Sequence, residues 1–330
     1  MQPFKYTQVR DADAAVRSVS SNMAARFIAG GTNILDLMKE GVENPSELVD
    51  ISRLSLTQIR ATPNGISIGA LARNTDTANH PLVRRDYPLL SQAILAGASA
   101  QIRNMATNGG NLMQQTRCTY FYDIAMPCNK REAGSGCGAF EGINRLHSIF
   151  GYSESCVDVH PSDMCVALSA LDATINVQGA EGKTRAIRFA DFFKPAADMT
   201  MSDTDLRHGE LITSIELPRS SFAANSYYLK VRDRASFAFA LVSVAAALDL
   251  NAGKIRDARV AMGGVAPKPW RAAEAEKVLI GRTPTEETFR AAAEAEMKGA
   301  RPLKHNAFKV ELGRRAIVLA LKRAASGGKA

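Results

Sequence analysis

The sequence predicts an α+β protein of more than one domain, on three observations. The chain has 330 residues, enough for two or three domains with ample core. Helix-like and strand-like segments alternate over roughly the first 55 residues, as in a small α/β unit. Beyond a polar linker from Arg219 to Ser226, three strand-like segments follow one another and three helix-like ones come after them, so a three-stranded sheet faced by helices is the natural closure. A composition of 46% hydrophobic and 22% charged residues is that of a globular chain, neither disordered nor fibrous.

Taken in order, residues 11–20 read as a short helix, 25–29 as a strand, 34–40 as a helix and 47–51 as a strand. The segment GISIGALARN (65–74) is β-type and ends in a turn. In YPLLSQAILAGAS (87–99) Leu89, Leu90, Ala93, Ile94 and Ala98 share one helical face. From Thr107 to about Val159 the texture changes to glycine, asparagine and cysteine with little apolar periodicity, a stretch too long for an ordinary loop and therefore expected to be held by something. A helix from Met164 to Leu171 and a strand from Ala173 to Val177 restore order, and GELITSIELP (209–218) is a strand with a proline stop. After the linker, 227–234, 239–250 and 254–266 are the three strands, and 271–280, 285–298 and 307–325 the helices. The small tail Ser326 to Ala330 closes the chain.

The stretch around which these elements are arranged is FIAGGTNILDL (27–37). An apolar strand end (Phe27, Ile28, Ala29) meets Gly30-Gly31, and Thr32 and Asn33 are good N-caps for a helix beginning at Ile34. Paired glycines allow close backbone approach, and helix-start N–H groups suit an anion, so the turn is either an ordinary βα connection or a phosphate site. Neither the G-x-G-x-x-G fingerprint nor a Gly-Lys-Ser/Thr P-loop is present. TNGGN (107–111) is a second glycine turn with hydroxyl and amide side chains able to bond phosphate or ribityl oxygens, or simply a polar loop. In HPSD (160–163), Asp163 is the expected N-cap of the next helix, a role compatible with a ligand contact.

The five cysteines are Cys118, Cys128, Cys137, Cys156 and Cys165. Their odd number argues against a disulfide framework. Four lie within 39 residues, but no C-x-x-C is present, so spacing leaves zinc and an iron–sulfur cluster both open. Gly134, Gly136, Gly138 and Gly142 would let the backbone wrap around such a centre, and four thiolates on one centre would supply folding energy to a segment without a core pattern. Cys165 reads as a small buried apolar residue. The five histidines are dispersed; His147, inside the cysteine segment, reads as a solvent-exposed loop residue rather than a ligand. The net charge of +8 comes from 41 scattered Lys and Arg, and aromatics make up 6%, which fits a solvated basic surface or a face for an acidic partner and not a nucleic-acid site. No apolar run approaches the roughly 20 residues of a membrane span. The first residues, MQPFKYTQVRDADAA, carry charges and no apolar core, so no secretory signal is expected.

The ordered set AGGTN near 30, T-x-G-G-N near 110, S-D-x-x-x-A-L-x-A-L-D-A at 162–173 and E-L-I-T-S-I-E-L-P at 210–218 resembles the FAD-binding subunit of the xanthine dehydrogenase and molybdenum hydroxylase family over nearly the whole chain. In most of that family the second glycine motif runs almost directly into the S-D helix, whereas here a cysteine-bearing insert, about 115–158, intervenes. The insert resembles that of the FAD subunit of bacterial periplasmic-type aldehyde oxidoreductases and, in another form, the 4-hydroxybenzoyl-CoA reductase flavin subunit, where a comparable insert holds a 4Fe-4S cluster. Arg117 to Asp123 and Pro127 to Cys137 make the aldehyde oxidoreductase the nearer likeness.

The resemblance implies a p-cresol-methylhydroxylase-type FAD-binding domain over 1–220, in subdomains of about 1–56 and 57–220, and a C-terminal α+β domain over 226–330. FAD would lie on Phe27, Ile28, Ala29, Gly30, Gly31, Thr32, Asn33 and Ile34, with the N–H groups of Ala29 to Asn33 on its pyrophosphate. Thr107, Gly110 and Asn111 would contact the ribityl–phosphate region and Asp163 the nucleotide or ribityl hydroxyls. Leu211 and Ile212 would pack on a ring system, Lys230 would lie near the isoalloxazine, and Cys118, Cys128, Cys137 and Cys156 would ligate a 4Fe-4S cluster. The implied role is an electron-transfer subunit of an aldehyde oxidoreductase, partnered by a molybdenum-cofactor large subunit and a 2Fe-2S small subunit and delivering electrons to an external acceptor, with no catalytic acid or base of its own. Assembly in the cytoplasm followed by export as the passenger of a signal-bearing partner is compatible with the lack of a signal. Two other readings are a self-sufficient FAD-dependent reductase or oxidase of the same fold and a zinc-stabilised scaffold or nucleic-acid binder.

Overall fold

The computed structural model describes residues 1–195 and 202–328. The last two residues of the expected C-terminal tail lie outside that set. The first sheet is parallel, of β1 (Lys5–Gln8), β2 (Ala25–Ile28) and β3 (Glu47–Asp50) in the order β1-β3-β2. The helix Ala12–Ser20 crosses over it. Asp11 caps this helix by accepting from Ala14 N at 2.7 Å, and the apolar stripe Ala15, Val16, Val19 faces the sheet core. Strand β1 is not legible in the sequence: its residues, KYTQ, form an edge with almost no buried face, so they carry no hydrophobic alternation.

The second sheet is antiparallel throughout: β4 (Ile59–Thr62), β5 (Gly65–Gly69), β6 (Thr174–Gln178), β7 (Thr184–Arg188) and β8 (Leu211–Pro218), ordered β4-β5-β8-β6-β7. The two edges, β4 and β7, are again the strands that sequence patterning misses. The inner face of this sheet packs on the helices Pro88–Ala96 and Asp163–Ala170 to make the main core. The first of these helices stops at Ala96. Ala98, expected on its apolar face, is exposed beyond its end with φ +49°, because the chain turns at Gly97.

The third sheet has four strands, not three: β9 (Ser226–Val231), β10 (Val242–Asn251), β11 (Lys254–Gly263) and the two-residue β12 (Trp270–Arg271), ordered β12-β11-β10-β9. Two residues are too few to show an alternation. Strand β10 is buried on both faces, which explains its continuous apolar run. Val242, Val244, Ala246 and Leu248 point to a core shared with the helices Ala273–Leu279, Glu286–Met297 and Phe308–Ala325, while Ala245 and Ala247 join the main core beneath the second sheet. Small residues on that second face let the two sheets' layers approach closely. No helix among the described residues is long and apolar enough to cross a membrane.

Candidate functional site

The turn after β2 carries the first glycine motif. Gly31 has φ +71°, and a side chain on Gly30 would run into the Met105 carbonyl, so both glycines are required, one by torsion and one by close approach. The short helix Ile34–Lys39 starts without a side-chain cap. Thr32 is exposed at the rim of the turn, and Asn33, expected as a cap, has its amide turned elsewhere: Oδ1 accepts from Gln115 N at 3.0 Å. The Asn33 Nδ2 is buried with no partner, an unfilled donor in the turn itself.

The second motif is a one-turn helix, Asn108–Leu112, capped by Thr107, whose Oγ1 accepts from Gly110 N at 3.2 Å. Asn108, which no sequence pattern singles out, is fully buried and anchors the motif: its Nδ2 donates to Thr77 Oγ1 at 2.8 Å and its Oδ1 accepts from Asn74 at 3.0 Å. Asn111 donates to Asn74 Oδ1 at 2.8 Å and accepts from Ser162 Oγ at 2.6 Å. The third motif is thereby tied to the second.

Ser162, not Asp163, caps the helix Asp163–Ala170, by accepting from Cys165 N. Asp163 is released from capping to a buried cluster. Its Oδ2 pairs with Lys230 Nζ at 2.8 Å and its Oδ1 accepts from Tyr228 O–H at 2.7 Å. Lys230 also donates to Ala96 O at 3.1 Å. Burial, reinforced by the Asp163 charge, pushes the Tyr228 phenol well above its ordinary range. Tyr228 is absent from the residues expected at the site, yet it stands two residues before Lys230 on the same face of β9, a spacing that the strand's period makes legible. Leu211 is buried beside Phe27 and Ala29 at the start of β8, and Ile212 belongs to the main core. Gly30–Asn33, Met105–Asn111, Ser162–Asp163 and Lys230 thus form one connected series across four parts of the chain.

The cysteine segment is held by its own polar side chains. Arg131 donates to the carbonyls of Tyr120, Phe121, Asp123 and Met126, and Asn129 Oδ1 accepts from Gly134 N and Gly136 N, both at 3.0 Å. Lys130, with its side chain 5% exposed, is paired with Asp158 at 2.9 Å and with Asp203, which pins the segment to the body of the protein. Cys128 and Cys137 face one another as bridge partners. Burial pushes the Cys118 thiol up to about 12, with Asp158 and Cys128 adding to it, and drives Cys156 upward as well, with Asp158 and Cys137 adding. Among the described residues no three Cys, His, Asp or Glu side chains are grouped closely enough to hold a metal ion. Cys165 is fully buried in its helix, as expected.

His147 departs from the sequence reading. It is 5% exposed, not a solvated loop residue, and its Nε2 lies 3.1 Å from Cys118 Sγ. Burial pulls its pKa down to about 4, so the ring is neutral at pH 7. Its Nδ1, Asp158 Oδ1 and His160 Nε2 are all buried without partners. The four cysteines of the segment are free and are not gathered as a metal site among the described residues, whereas the unfilled Asn33 amide in a glycine turn fits a phosphate-bearing cofactor.

Lys309 offers a pH test of this region. It is fully buried, donates to His147 O at 2.9 Å and Gly264 O at 2.7 Å, and is pulled down to about 7, mainly by burial and further by Arg145. Between about 7 and its ordinary 10.5 the folded chain therefore binds fewer protons than the unfolded one, and stability rises with pH; below 7 both states are protonated and the cost is present in full. The raised cysteines act oppositely above about 9, so the clean window is roughly pH 7 to 8.5. The melting temperature is expected to rise across that window, and the rise to shrink in Lys309→Met at matched ionic strength. Parallel pH dependences in the two proteins would contradict the assignment.

Two family models cover the chain: the FAD binding domain in molybdopterin dehydrogenase matches residues 2–220, and the CO dehydrogenase flavoprotein C-terminal domain matches residues 227–324. The aldehyde oxidoreductase FAD-binding subunit PaoB of Escherichia coli is 47% identical over 325 residues, covering 98% of this chain and 99% of that one. The glyceraldehyde dehydrogenase medium chain of Sulfolobus acidocaldarius is 32% identical over 280 residues, 84% of this chain and 82% of that one. Among solved structures, a carbon monoxide dehydrogenase from Hydrogenophaga pseudoflava superposes with a TM-score of 0.76 at 25% identity, covering 99% of each chain.

Proposed function

The chain belongs to the FAD-binding subunits of the molybdenum hydroxylase family, and on that premise we propose that it is the electron-transfer subunit of a molybdenum-dependent aldehyde oxidoreductase, holding one FAD and one 4Fe-4S cluster. Its partners are a large subunit with the molybdenum cofactor and a small subunit with 2Fe-2S centres, and its electrons leave to an external acceptor. The observation that carries the flavin reading is the series of contacts joining the two glycine turns, the Ser162–Asp163 helix start and Lys230. Aldehyde chemistry is favoured because the relatives from Escherichia coli and Sulfolobus are named for it.

When bound, FAD exchanges two electrons for one and a 4Fe-4S cluster relays single electrons. The protein's part is placement. The turn from Ala29 to Asn33 would present backbone N–H groups to the pyrophosphate, with the unfilled Asn33 amide beside them. Thr107, Gly110 and Asn111 would meet the ribityl–phosphate region, Asp163 the ribityl hydroxyls, Leu211 and Ile212 the ring edges, and Lys230 the isoalloxazine. Cys118, Cys128, Cys137 and Cys156, from the insert of about 115–158, would hold the cluster. These parts fall in a FAD-binding unit of 1–220, divided near residue 56, followed by a C-terminal unit of 226–330.

The test is an anaerobic count of iron, acid-labile sulfide and flavin on the purified complex, with its visible spectrum. One FAD per chain, and about four irons and four sulfides beyond those of the partners, are expected. FAD without that extra iron would overturn the cluster and leave the flavin assignment standing. A colourless chain would overturn both.

A further inference from the structure

We infer that the connection between β9 and β10, residues 232–241, is a docking surface for an acidic one-electron carrier protein, the external acceptor of this chain. The inference rests on the flavin reading above, to which it adds the class of acceptor, and it is independent of the four cysteines.

Large apolar side chains are held out in water here. Phe237 and Phe239 are 57% and 52% exposed. Phe237 has φ +49°, a left-handed torsion that a bulky side chain rarely adopts. Arg234 braces it: its Nε donates to Ser236 O at 3.2 Å and to Phe237 O at 3.0 Å, and its guanidinium lies over the Phe237 ring, 5.7 Å from the centroid. Two further arginines fasten the connection to the rest of the chain. Arg117 lies 5.5 Å from the Phe239 centroid and pairs with Asp36 at 2.8 Å. Arg145 bonds both carboxylate oxygens of Asp233, at 2.8 and 2.9 Å, and covers the exposed ring of Phe308 at 5.3 Å. Three exposed phenylalanines, each under an arginine, are thereby joined into one preformed surface. Exposed apolar groups gathered in this way mark an interaction site.

Charge selects the occupant. Asp36 and Asp233 answer Arg117 and Arg145, whereas Arg232 and Arg234 bond backbone carbonyls, so the surface stays cationic, as does the chain with its net charge of +8. Permanent interfaces shed charge from their cores, while a cationic rim around apolar rings suits a brief, electrostatically steered encounter with an acidic protein. The surface also begins at the proposed flavin site. Ala96 O accepts from Lys230 Nζ at 3.1 Å and from Arg232 Nη1 at 3.2 Å, so the root of the connection shares a carbonyl with the residue proposed for the isoalloxazine. Oxidation of one aldehyde and one water to the acid yields two electrons and two protons. Two carrier molecules leave reduced by one electron each, and the protons go to solvent.

The probe is cytochrome c succinylated on its lysines, a one-electron carrier turned from basic to acidic, with native cytochrome c as control. The intact complex is assayed anaerobically with an aldehyde, and carrier binding without aldehyde is measured by calorimetry. The acidic carrier is expected to bind and to be reduced at least tenfold better than the native one, with the preference fading as salt rises. Arg234→Glu and Phe237→Gly are each expected to weaken its binding and slow its reduction by about tenfold, while reduction of a small neutral quinone, which needs no docking surface, is unchanged. Arg188→Glu on the edge strand β7 alters the net charge equally, and a small effect is expected. Equal effects of Arg188→Glu and Arg234→Glu, or no preference for the acidic carrier, overturn the inference and leave the flavin reading standing. So does loss of a subunit from the Phe237→Gly complex, which would make this face a permanent interface. A complex that holds no flavin and reduces no quinone overturns both. Should Arg234→Glu not assemble, Phe237→Gly and the salt dependence of the unmodified complex decide.

Discussion

Asp163→Ala is expected to release the flavin and to cost about 3–5 kcal/mol of stability, the largest single effect that the structure predicts. The carboxylate is buried and both its oxygens are engaged, one by Lys230 and one by Tyr228. Alanine would leave an ammonium whose side chain is 4% exposed with only the Ala96 carbonyl for company, and a phenol without its acceptor. Lys230→Met alone is expected to cost less, because Asp163 keeps its bond from Tyr228 and can shed its charge by taking up a proton. The double variant Asp163→Ala/Lys230→Met is expected to regain part of the lost stability, with a coupling of about 0.5–3 kcal/mol between the two sites, since no buried charge is then left alone. It should not regain flavin if these two side chains face the cofactor. Flavin per chain and the urea midpoint of the four proteins measure both effects. A double variant that is as unstable as Asp163→Ala but binds flavin fully would refute the pairing argument.

The contrast between Asp163 and His147 shows where a sequence is readable. Strand β10 and the helix Asp163–Ala170 announce themselves because burial imposes a pattern on many consecutive residues. The first glycine turn is legible because two glycines in succession after an apolar strand end mark a backbone that needs unusual torsion or close approach, and Gly31 does adopt a left-handed torsion. Single polar residues have no such pattern. The difference between Ser162 and Asp163 as helix cap is one position, and only the pull of Lys230 and Tyr228, on a strand more than sixty residues later, decides which of the two turns inward. His147 sits among glycines and asparagines with no periodicity, and its burial is made by Asn306 and Lys309 from the far end of the chain. Edge strands β1, β4 and β7 escape for a related reason: one side is solvent, so the alternation that marks an inner strand is missing.

Gly30→Ala carries the second large effect, and it separates close approach from torsional strain. Gly30 has an ordinary torsion, so its side-chain hydrogen is demanded only by the Met105 carbonyl on which a Cβ would fall. Backbone cannot swing aside as a side-chain tip can, so the two glycine motifs must move apart. An overpacking cost of about 1–3 kcal/mol, placed where both motifs would meet the proposed cofactor, corresponds to roughly a ten- to hundredfold weaker hold on flavin. Gly41→Ala is the control. Its φ of +75° makes alanine strained, but the new methyl would meet only Ile124 Cδ1 at 4.0 Å. That variant is expected to lose about 1 kcal/mol of stability and to keep its flavin. Dilution-induced flavin release from the purified complex, followed by fluorescence, reads the difference. If Gly30→Ala and Gly41→Ala retain flavin equally, the contact between the first turn and Met105 does not shape the cofactor site, and the phosphate cradle has to be sought elsewhere along 105–115.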